Sequence, residues 1–556
     1  MKFFKRLIIP KTPEQKKQLK KERLLLILSG ILIGISFPPV PFPFTLLMFI
    51  GFVPYLYVLQ RRKTLAELNR ATYLMTFVLS VVTVYWVGSW QSESDPFLMV
   101  AGVVLLFALP AVLLIPPTLY YMSGKIFKPK IILWFFPILW VTAEYLLTLT
   151  DLKFPWILLG HGQAKFLLFI QAADIIGTFG LSLAVMYINI LLYKAFYHFK
   201  SNNKYSATYL VTGVTIFLLF IIYGMIRISN FEMPNRKVKV GAVQPDINPW
   251  KKWESGSLNQ MVDNYLTLSQ KAVDEGAEII LWPETALPVY LMAGSYKEIV
   301  DSIYLFLEKN DVTLLTGMPD IQYYFNDKEK APPDAKYNKS GHYYYATYNS
   351  VIELEPFTRK YFRYGKMQLV PMGEHVPFSG QLKFLSDLFK WGVGISGWNV
   401  GKDTLVFKVP VKDELIEDTI KVSALVCYES IFPVFVTAFV ERGAQFIAVV
   451  TNDSWYGNSS GPYQHKEFAV LRAVENRRSV VRCANGGISC IINPIGEIEA
   501  ETKMFTKDVL VGDVVLEKQK TFYTNNPMII PTIISIFSLW IFGMSILLFI
   551  KNKFSL

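Results

Sequence analysis

Cysteine and histidine are scarce in this chain, which has 556 residues but only three cysteines and five histidines. The sequence has no C-x-x-C pair and no cluster of histidine and cysteine, so no metal site is indicated. Charged residues make up only 18% of the chain, whereas hydrophobic residues make up 52%. This composition is too apolar for an ordinary soluble protein, and the length suffices for a membrane part and a globular domain.

Long apolar stretches fill residues 24–227, and most of them approach the roughly 20 residues needed to span a bilayer. We expect this region to be a membrane domain of about seven transmembrane helices, with a final helix at 528–550. The segment "FPPVPFPF" also fits a re-entrant pair. In that case two spans would be lost, and the number of spans before residue 228 would still be odd. The seven stretches are about 24–41, 43–60, 72–90, 97–121, 131–149, 167–193 and 207–226.

Basic side chains follow the second, fourth and sixth apolar stretches, whereas "QSESDP" carries Glu93 and Asp95 and no base. In so apolar a chain, the net charge of +12 is more typical of membrane topology than of nucleic-acid binding. Because Lys and Arg favour the cytoplasmic side, we expect the basic tail 1–23 and the end 551–556 to be inside. Residues 228–527 are then outside. No small-residue cleavage site follows the tail, so we expect it to be retained.

The predicted external segment, 228–527, has a different sequence pattern from the membrane region. Short apolar runs such as "VKVGAVQ", "AEIILWPE", "KVSALVCYE" and "AQFIAVVTND" alternate with segments of helical length. This alternation is typical of an α/β domain. At nearly 300 residues, the segment is long enough to bury its own core.

Polar groups follow three of these apolar runs. Glu284 ends "IILWPE", Lys366 and Glu374 lie in "YGKMQLVPMGEHVPF", and Cys427 ends "VSALVC". Ligands of α/β domains usually bind at the carboxyl ends of strands. A thiol, a carboxylate and an ammonium there supply a nucleophile, a base and an oxyanion stabiliser. The alternative is a buried core cysteine with a solvated glutamate and a solvated lysine.

A family resemblance rests on "LWPETALP", "KMQLVPMGEHVPF", "VCYES" and "TNDSWYGNSSGPYQH" taken together. With "VQPDINPWKKW" and "FPWILLGHGQ", these motifs resemble the nitrilase superfamily and, within it, the apolipoprotein N-acyltransferase family of the bacterial inner membrane. The resemblance spans the chain. It implies a polytopic α-helical membrane domain and an external α/β domain folded as a four-layer αββα sandwich.

The resemblance also implies a catalytic triad of Glu284, Lys366 and Cys427. The small departures from the family pattern, at Met372 and His375, touch none of the three. Trp250 competes with Trp253 for the match to the tryptophan of the first motif. The further positions that match supporting or substrate-site residues of the family are Glu374, Tyr428, Glu429, Trp253 and Trp455.

The chemistry expected of this triad follows from the thiol. A thiol with a pKa near 8.5 is mostly protonated at neutral pH, so Glu284 accepts its proton as attack begins. Lys366 favours the thiolate and stabilises the oxyanion. We expect Glu374 to position Lys366 or to gate the site, and Glu429 to orient its neighbours.

The resemblance implies that an acyl chain passes from a glycerophospholipid, through a thioester on the cysteine, to an amine. That amine is the N-terminus of an S-diacylglyceryl-cysteine apolipoprotein, and no metal or organic cofactor is implied. The enzyme would lie in the inner membrane with its catalytic domain on the periplasmic face. One alternative is a membrane-tethered amidase or nitrilase that acts on a small amide. Another is a transporter or receptor whose external domain only binds ligand.

Two other cysteines and two acids remain. "SVVRCANGGISCIINPIG" is typical of a hairpin that turns at Gly486-Gly487, which would place Cys483 opposite Cys490. We expect buried thiols there, because direct cross-strand disulfides are often strained. Glu144 and Asp174 lie in the membrane region, where acids are often functional, unless both lie near the outer boundary.

Overall fold

The computed structural model has a helical part and an α/β part, joined at two points of the chain. The helical part comprises the segments before residue 230 and after residue 528, and the α/β part lies between them. The structure describes residues 12–201, 204–252, 257–325, 329–375, 377, 397–413 and 416–554.

Among the described residues, eight helices of seven or more residues in the first segment and one in the last form most of the helical part. In chain order they are α1 (Pro13–Gly34), α2 (Val53–Leu59), α3 (Leu65–Val84), α4 (Pro96–Val112), α5 (Ile115–Ser123), α6 (Phe136–Leu146), α7 (Ala173–Lys200), α8 (Tyr205–Ser229) and, after the α/β part, α13 (Ile529–Phe554). Shorter helical turns connect several of them.

Six helical segments among the described residues are long and apolar enough to cross a membrane. They overlap six of the eight apolar stretches of the sequence. The remaining two stretches, 24–41 and 43–60, correspond to the end of α1 and to a shorter apolar helical segment, Phe44–Leu59. The six segments are Leu65–Gly88, Pro96–Ser123, Pro129–Leu146, Ala173–Lys200, Tyr205–Ser229 and Ile529–Asn552.

Local sequence signals explain where two of these helices begin. At the start of α3, the Thr64 hydroxyl accepts from the Glu67 backbone and the Glu67 carboxylate accepts from Thr64, which is a capping box. At the start of α4, Asp95 Oδ1 accepts from the backbone N–H of Phe97 at 2.8 Å. Pro96 takes the first helical position, where the N–H that it lacks would have had no partner.

Two mixed β-sheets form the centre of the α/β part. The first has the order β13-β1-β2-β3-β5-β4, with β6 also paired to β5, and the second has the order β12-β11-β10-β9-β8-β7. The strands are β1 (Lys237–Gln244), β2 (Ile279–Trp282), β3 (Thr313–Phe325), β4 (Lys336–Asn338), β5 (Tyr343–Leu354), β6 (Tyr361–Gly365), β7 (Phe407–Asp413), β8 (Ile416–Val426), β9 (Phe446–Thr451), β10 (Ser479–Ala484), β11 (Cys490–Ile492), β12 (Ile498–Glu501) and β13 (Asp508–Val515).

Helices cover the outer face of each sheet. Helices α9 (Leu258–Asp274) and α10 (Lys297–Asn310) pack on the first sheet, where the Tyr265 ring stacks on Trp282 at 4.6 Å. Helices α11 (Pro433–Glu441) and α12 (Ser460–Asn476) pack on the second sheet. One buried cluster joins the two sheets face to face. The order of layers is αββα, so the predicted fold class is confirmed.

The cysteine hairpin differs from our expectation by one residue. Strands β10 and β11 pair antiparallel, but Cys490 lies opposite Arg482 and not opposite Cys483. A slip of one residue sends a side chain to the other face of a sheet. Cys483 Sγ accordingly points between the sheets, 3.3 Å from the carbonyl oxygens of Val243 and Leu281. Both thiols are free and fully buried, as predicted.

Glu144 and Asp174, the two acids expected in the membrane region, are buried and hydrogen-bonded. Glu144 Oε1 accepts from the indole N–H of Trp140 and from the backbone of Leu159, both at 3.1 Å. Asp174 Oδ2 accepts from Arg227 on α8 and from Arg477 at the end of α12, both at 2.7 Å. Asp174 therefore connects the helical part to the α/β part.

The buried carboxyl group of Glu353 makes the stability of the folded protein depend on pH. Its side chain is fully buried in β5, and neither carboxylate oxygen has a hydrogen-bond partner among the described residues. Burial, with a smaller contribution from Glu355, raises the pKa of Glu353 to about 8. The folded state therefore binds a proton that the unfolded state releases above a pKa of about 4.5, so this residue lowers stability as pH rises between the two values.

Replacement of Glu353 by Gln removes this titration. We expect E353Q to gain stability over the parent steadily from pH 5 to pH 8, by about 3 kcal/mol near pH 7 relative to pH 5. The measurement is the midpoint of thermal unfolding in detergent at several pH values. Glu499→Gln, at an exposed position of strand β12, is the control, because Glu499 does not contribute to the pKa of Glu353. A difference between E353Q and the parent that does not change with pH would contradict the assignment.

Candidate active site

Four of the sequence-predicted residues meet at the strand ends of the two facing sheets. Glu284 follows β2, Lys366 follows β6, and Glu374 lies in the turns after Lys366. Cys427 follows β8 directly, and its φ of 51° is in the left-handed region. A thiol on such a sharp turn projects from the end of its strand, and Cys427 keeps some exposure to solvent.

A buried lysine lies between two carboxylates at the centre of the site. Lys366 Nζ is 2.8 Å from Glu374 Oε1 and 3.3 Å from Glu284 Oε1. The three residues are 1%, 8% and 7% exposed, so water does little to screen their charges. Asn349 Nδ2 donates to both carboxylates, at 2.7 Å to Glu284 and 3.0 Å to Glu374. The backbone N–H of Val370 donates to the second oxygen of Glu374 at 2.9 Å.

The electrostatics of the site keep a charged lysine beside a protonated thiol. Burial alone would lower the pKa of Lys366, but the carboxylates of Glu284 and Glu374 outweigh it and hold that pKa well above its usual range. Burial raises the pKa of the Cys427 thiol well above its usual range, and the charge of Glu284 adds to the rise while Lys366 opposes it. The resting thiol is therefore neutral, and its activation requires a base.

Glu429 ties together the chain segments that carry the thiol and the lysine. Its side chain is fully buried. One oxygen accepts from the backbone N–H of Val426 at 2.8 Å. The other accepts from the Tyr364 hydroxyl at 2.7 Å and from the backbone of Met367 at 2.6 Å. This carboxylate fixes the end of β8 against the end of β6.

The aromatic positions lie between the α/β part and the helical part. Tyr428 is buried, and its hydroxyl donates to the carbonyl oxygen of Lys153 at 2.9 Å. Trp455 packs edge-on against Trp250 with ring centroids 4.7 Å apart, and its carbonyl oxygen accepts from Gln91 at 2.9 Å. Trp253 lies outside the described residues, so its expected place in the site stays a prediction.

A cluster that superficially suits a metal lies behind the thiol. Ligand atoms of Cys427, Asp453 and His465 come within 4.8 Å of one another. However, Asp453 forms an ion pair with Arg482 through one oxygen and contacts His465 Nδ1 at 2.8 Å through the other. Arg482 and His465 together hold the pKa of the Asp453 carboxyl far below its usual range, despite its burial. A guanidinium already occupies the place of a cation, so these donors do not fit a metal site.

Sequence reasoning missed Asn349 and His465. Asn349 lies in "ATYNSVIEL", where strand alternation is plain but nothing separates this amide from any other polar strand residue. The one signal that could have indicated Asn349 is that it is a polar residue on the face of β5 that packs between the two sheets. His465 lies in "GPYQHKEF", inside a motif that we matched only as a whole.

Comparison with known proteins covers both parts of the chain. Residues 239–522 match the family model for carbon-nitrogen hydrolases, and residues 29–191 match that for the apolipoprotein N-acyltransferase N-terminal domain. The chain is 32% identical over 517 residues to the apolipoprotein N-acyltransferase of Chlorobaculum tepidum, covering 92% of this chain and 94% of that protein. This chain belongs to the apolipoprotein N-acyltransferase family.

A second curated relative agrees with this assignment. The apolipoprotein N-acyltransferase of Geobacter metallireducens is 30% identical over 521 residues, which are 91% of each chain. Among solved structures, an amidase from Nesterenkonia sp. is 17% identical, with a TM-score of 0.33 over 53% of this chain and 94% of that chain. Membership of the apolipoprotein N-acyltransferase family, predicted from the motifs, is confirmed, and the chain is a membrane protein with a nitrilase-like domain.

The two hydrogen bonds of Asn349 predict that replacing this residue slows the reaction. Asn349→Leu removes the amide that donates to the carboxylates of Glu284 and Glu374. Both carboxylates remain, but this hydrogen bond no longer fixes their positions. We expect acyl transfer to slow by about 10²-fold, as for other lost positioning contacts, and the rate is measured by single turnover.

Ser350→Ala is the matched control for this substitution. Ser350 is the next residue of β5, faces the other side of the sheet and is fully buried, and its hydroxyl has no hydrogen-bond partner among the described residues. Its removal should leave the rate unchanged within about threefold. Equal losses from the two substitutions would show that Asn349 acts only through the stability of β5.

Proposed function

We propose that this enzyme transfers an acyl chain from a glycerophospholipid to the N-terminal amine of an S-diacylglyceryl-cysteine apolipoprotein. Cys427 carries the acyl chain between the two substrates as a thioester. The observation that carries the proposal is the position of Cys427, at the end of β8 and within electrostatic range of the buried pair of Glu284 and Lys366. These are the three groups that covalent acyl transfer needs, namely a nucleophile, a base and an oxyanion stabiliser.

The first half-reaction forms the thioester. Glu284 takes the proton of the Cys427 thiol as sulfur attacks the ester carbonyl carbon of the phospholipid. The carbonyl oxygen becomes an oxyanion, and the ammonium of Lys366 stabilises it. When the intermediate collapses, the bond to the glycerol oxygen breaks, and that oxygen takes the proton from Glu284. The products are a lysophospholipid and the acylated cysteine.

The second half-reaction consumes the thioester. The acceptor's α-amino group, whose pKa is near 8 in water, attacks the thioester carbon as the free amine. Lys366 again stabilises the oxyanion, and Glu284 receives the proton that the amine loses. Breaking the carbon–sulfur bond releases the thiolate, which takes this proton back. The site returns to its starting protonation state, and the product is an amide.

A segment of the helical part that contacts the residue after Cys427 supports the proposal of lipid substrates. The hydroxyl of Tyr428, next to Cys427, donates to the carbonyl oxygen of Lys153 in the segment that follows α6. The same segment exposes the apolar side chains of Leu149 and Leu152, which are 39% and 57% exposed. Exposed apolar side chains in a segment that is hydrogen-bonded to the neighbour of Cys427 suit acyl chains better than they suit a small water-soluble amide.

The alternative functions are not favoured. A tethered amidase would use the same triad with water as acceptor, but the chain matches the acyltransferase family over the helical part as well as the α/β part. A transporter or receptor would have no use for a paired base and ammonium beside a thiol. No organic cofactor enters the proposed reaction, and nucleic acid has no part in it.

The proposed location is the bacterial inner membrane, with the catalytic domain on the periplasmic face. The basic residues in the tail and in the connections after the second, fourth and sixth apolar stretches support this orientation. The lipoprotein acceptor and the phospholipid donor would reach the site from the same membrane. We place the catalytic domain at 228–527 and the membrane domain at 24–227, with 528–550 as the last span.

Substitutions in the triad should separate the two half-reactions. We expect Cys427→Ala to form neither acyl-enzyme nor product, and Glu284→Gln to form the thioester slowly because it cannot take the thiol proton. Lys366→Met should slow both half-reactions by about 10²–10³-fold, as for other lost oxyanion donors. The assay is phospholipid-dependent acylation of a diacylated lipopeptide, with the thioester trapped by omission of the acceptor.

Non-additivity is part of this prediction. The three groups act as one unit, so a double substitution should cost little more than the worse of its single substitutions. Cys427→Ser should also be nearly inactive, since a hydroxyl is far less ionised than a thiol. Phospholipid-dependent acylation of the peptide by Cys427→Ala would show that another residue is the nucleophile.

Site-directed labelling tests the orientation. Lys339 is exposed between β4 and β5, so Lys339→Cys in a Cys427→Ala background should react with a membrane-impermeant maleimide from the periplasmic side. Lys128→Cys, in a connection that we expect inside, is the control and should react only after the membrane is opened. The reverse pattern would overturn the orientation and the substrate assignment with it.

A further inference from the structure

The backbone of Cys427 is held in a conformation that it would not adopt by itself. Its φ of 51° lies in the left-handed region, which is unfavourable for a residue that has a side chain. The carbonyl oxygen of Cys427 accepts from the Ser430 hydroxyl at 2.8 Å and lies 3.0 Å from His465 Nε2. These contacts hold the turn that presents the thiol.

His465 is itself held from behind. Its Nδ1 lies 2.8 Å from Asp453 Oδ1, and the same carboxylate is ion-paired with Arg482. All three side chains are buried. The Ser430 hydroxyl lies 2.9 Å from His465 Nε2, so it can donate either to the ring or to the Cys427 carbonyl oxygen. With a proton on Nε2, the ring donates to the Cys427 carbonyl oxygen. Without one, Nε2 accepts from the Ser430 hydroxyl, and the ring stays linked to the same turn through Ser430.

Gln464, the residue before His465, makes an equally complete set of bonds to the helical part. Its Oε1 accepts from the indole N–H of Trp86 at 3.0 Å and from that of Trp156 at 2.7 Å. Its Nε2 donates to the carbonyl oxygen of Thr83, in α3, at 3.0 Å. Gln464 is 1% exposed, so loss of any partner would leave a buried polar group unpaired.

Helix geometry explains why these two residues serve different parts of the protein. Neighbouring residues of an α-helix point about 100° apart, so Gln464 reaches the helical part while His465 reaches Cys427. The first turn of α12 lies close to α3, because a Cβ atom at Gly461 would lie 2.6 Å from the Trp86 ring. The Trp156 ring also packs against the His465 ring, with centroids 5.6 Å apart.

We propose that Gln464 and His465 form a positioning bridge through which the helices of the membrane domain set the backbone geometry of Cys427. His465 is a positioning residue that acts through the Cys427 carbonyl, and Gln464 fixes the first turn of α12 to Trp86 and Trp156. The role of the bridge in turnover rests on the proposed function of Cys427 as the nucleophile. Its consequence is that the thiol reaches its working position only when the catalytic domain is docked on the membrane helices.

The test uses the full-length protein in detergent with two readouts. One is the rate at which iodoacetamide alkylates Cys427, followed by intact mass, which needs no lipid substrate. The other is acyl transfer with separate kcat and KM values for the phospholipid. We expect His465→Leu to lower kcat by about 10²-fold, the usual cost of a lost positioning contact, with KM changed less than about threefold. In the same variant, the rate of Cys427 alkylation should differ from that of the parent, because the turn that carries the thiol changes its position.

Conservative substitutions distinguish positioning from folding. His465→Gln keeps an amide that can reach the Cys427 carbonyl, so it should recover about tenfold of the kcat that His465→Leu loses, which corresponds to about 1.4 kcal/mol. Trp156→Phe keeps the ring but removes the N–H that Gln464 accepts, and we expect kcat to fall by about tenfold. In the double substitution with His465→Gln, the two losses should be less than multiplicative, because both act through one bridge.

Trp140→Phe is the matched control. It also removes an indole N–H from the helical part, but the described contacts of Trp140 are to Glu144 and to phenylalanine rings, and none is to α12. Its kcat and alkylation rate should match the parent. Parent-like rates for His465→Leu would overturn the bridge, and so would equal losses for Trp156→Phe and Trp140→Phe. A parent enzyme without any acyl adduct on Cys427 would instead refute the proposed function, whatever the alkylation rates.

Discussion

The site depends on the placement of the Lys366 ammonium between the carboxylates of Glu284 and Glu374. Removing such charges from water is costly, and it is tolerated only where partners and hydrogen-bond donors replace the lost solvation. Here the ammonium, the Asn349 amide and the Val370 N–H supply them. These groups come from strands β2, β5 and β6 and from the turns after β6, so the ends of those strands must meet at one place.

This arrangement also explains why a neutral thiol suits the site. With the thiol protonated, the two carboxylates and the lysine leave one net negative charge, and transfer of the proton to Glu284 leaves that sum unchanged. The reaction therefore moves a negative charge from oxygen to sulfur within the range of the same ammonium. Removing Lys366 would leave that charge without its counter-ion in both states, which is why its loss should affect both half-reactions.

The helical part is built into the catalytic domain by buried polar contacts rather than by a loose tether. Asp174 pairs with Arg477 at 2.7 Å, and Glu475 accepts from the backbone and hydroxyl of Thr178 at 2.8 and 2.6 Å. Gln464 adds its bonds to Trp86 and Trp156. Buried networks of this kind fix orientation because each unpaired member would be costly. A rigid junction suits an enzyme whose two proposed substrates both reach it from a lipid bilayer.

Much of this could be predicted from local sequence signals. The length of the apolar stretches predicted the helices, and the strand-like runs predicted the α/β domain. The motifs at the strand ends predicted Glu284, Lys366 and Cys427 as candidate site residues. The register of Cys490, the bonds of Asn349 and the role of His465 were not predictable in this way. Each depends on a partner far away in sequence, such as Asn349 with Glu284, and spacing along the chain does not report such contacts.

The most direct test of the central claim is peptide mass spectrometry of the full-length protein after incubation with phospholipid and without acceptor. The account predicts an acyl group on the peptide that contains Cys427, lost on treatment with neutral hydroxylamine as a thioester should be. The peptides with Cys483 and Cys490, both buried, should stay unmodified. Phospholipid-dependent turnover with no adduct on Cys427, or an adduct on either of the other two thiols, would contradict the account.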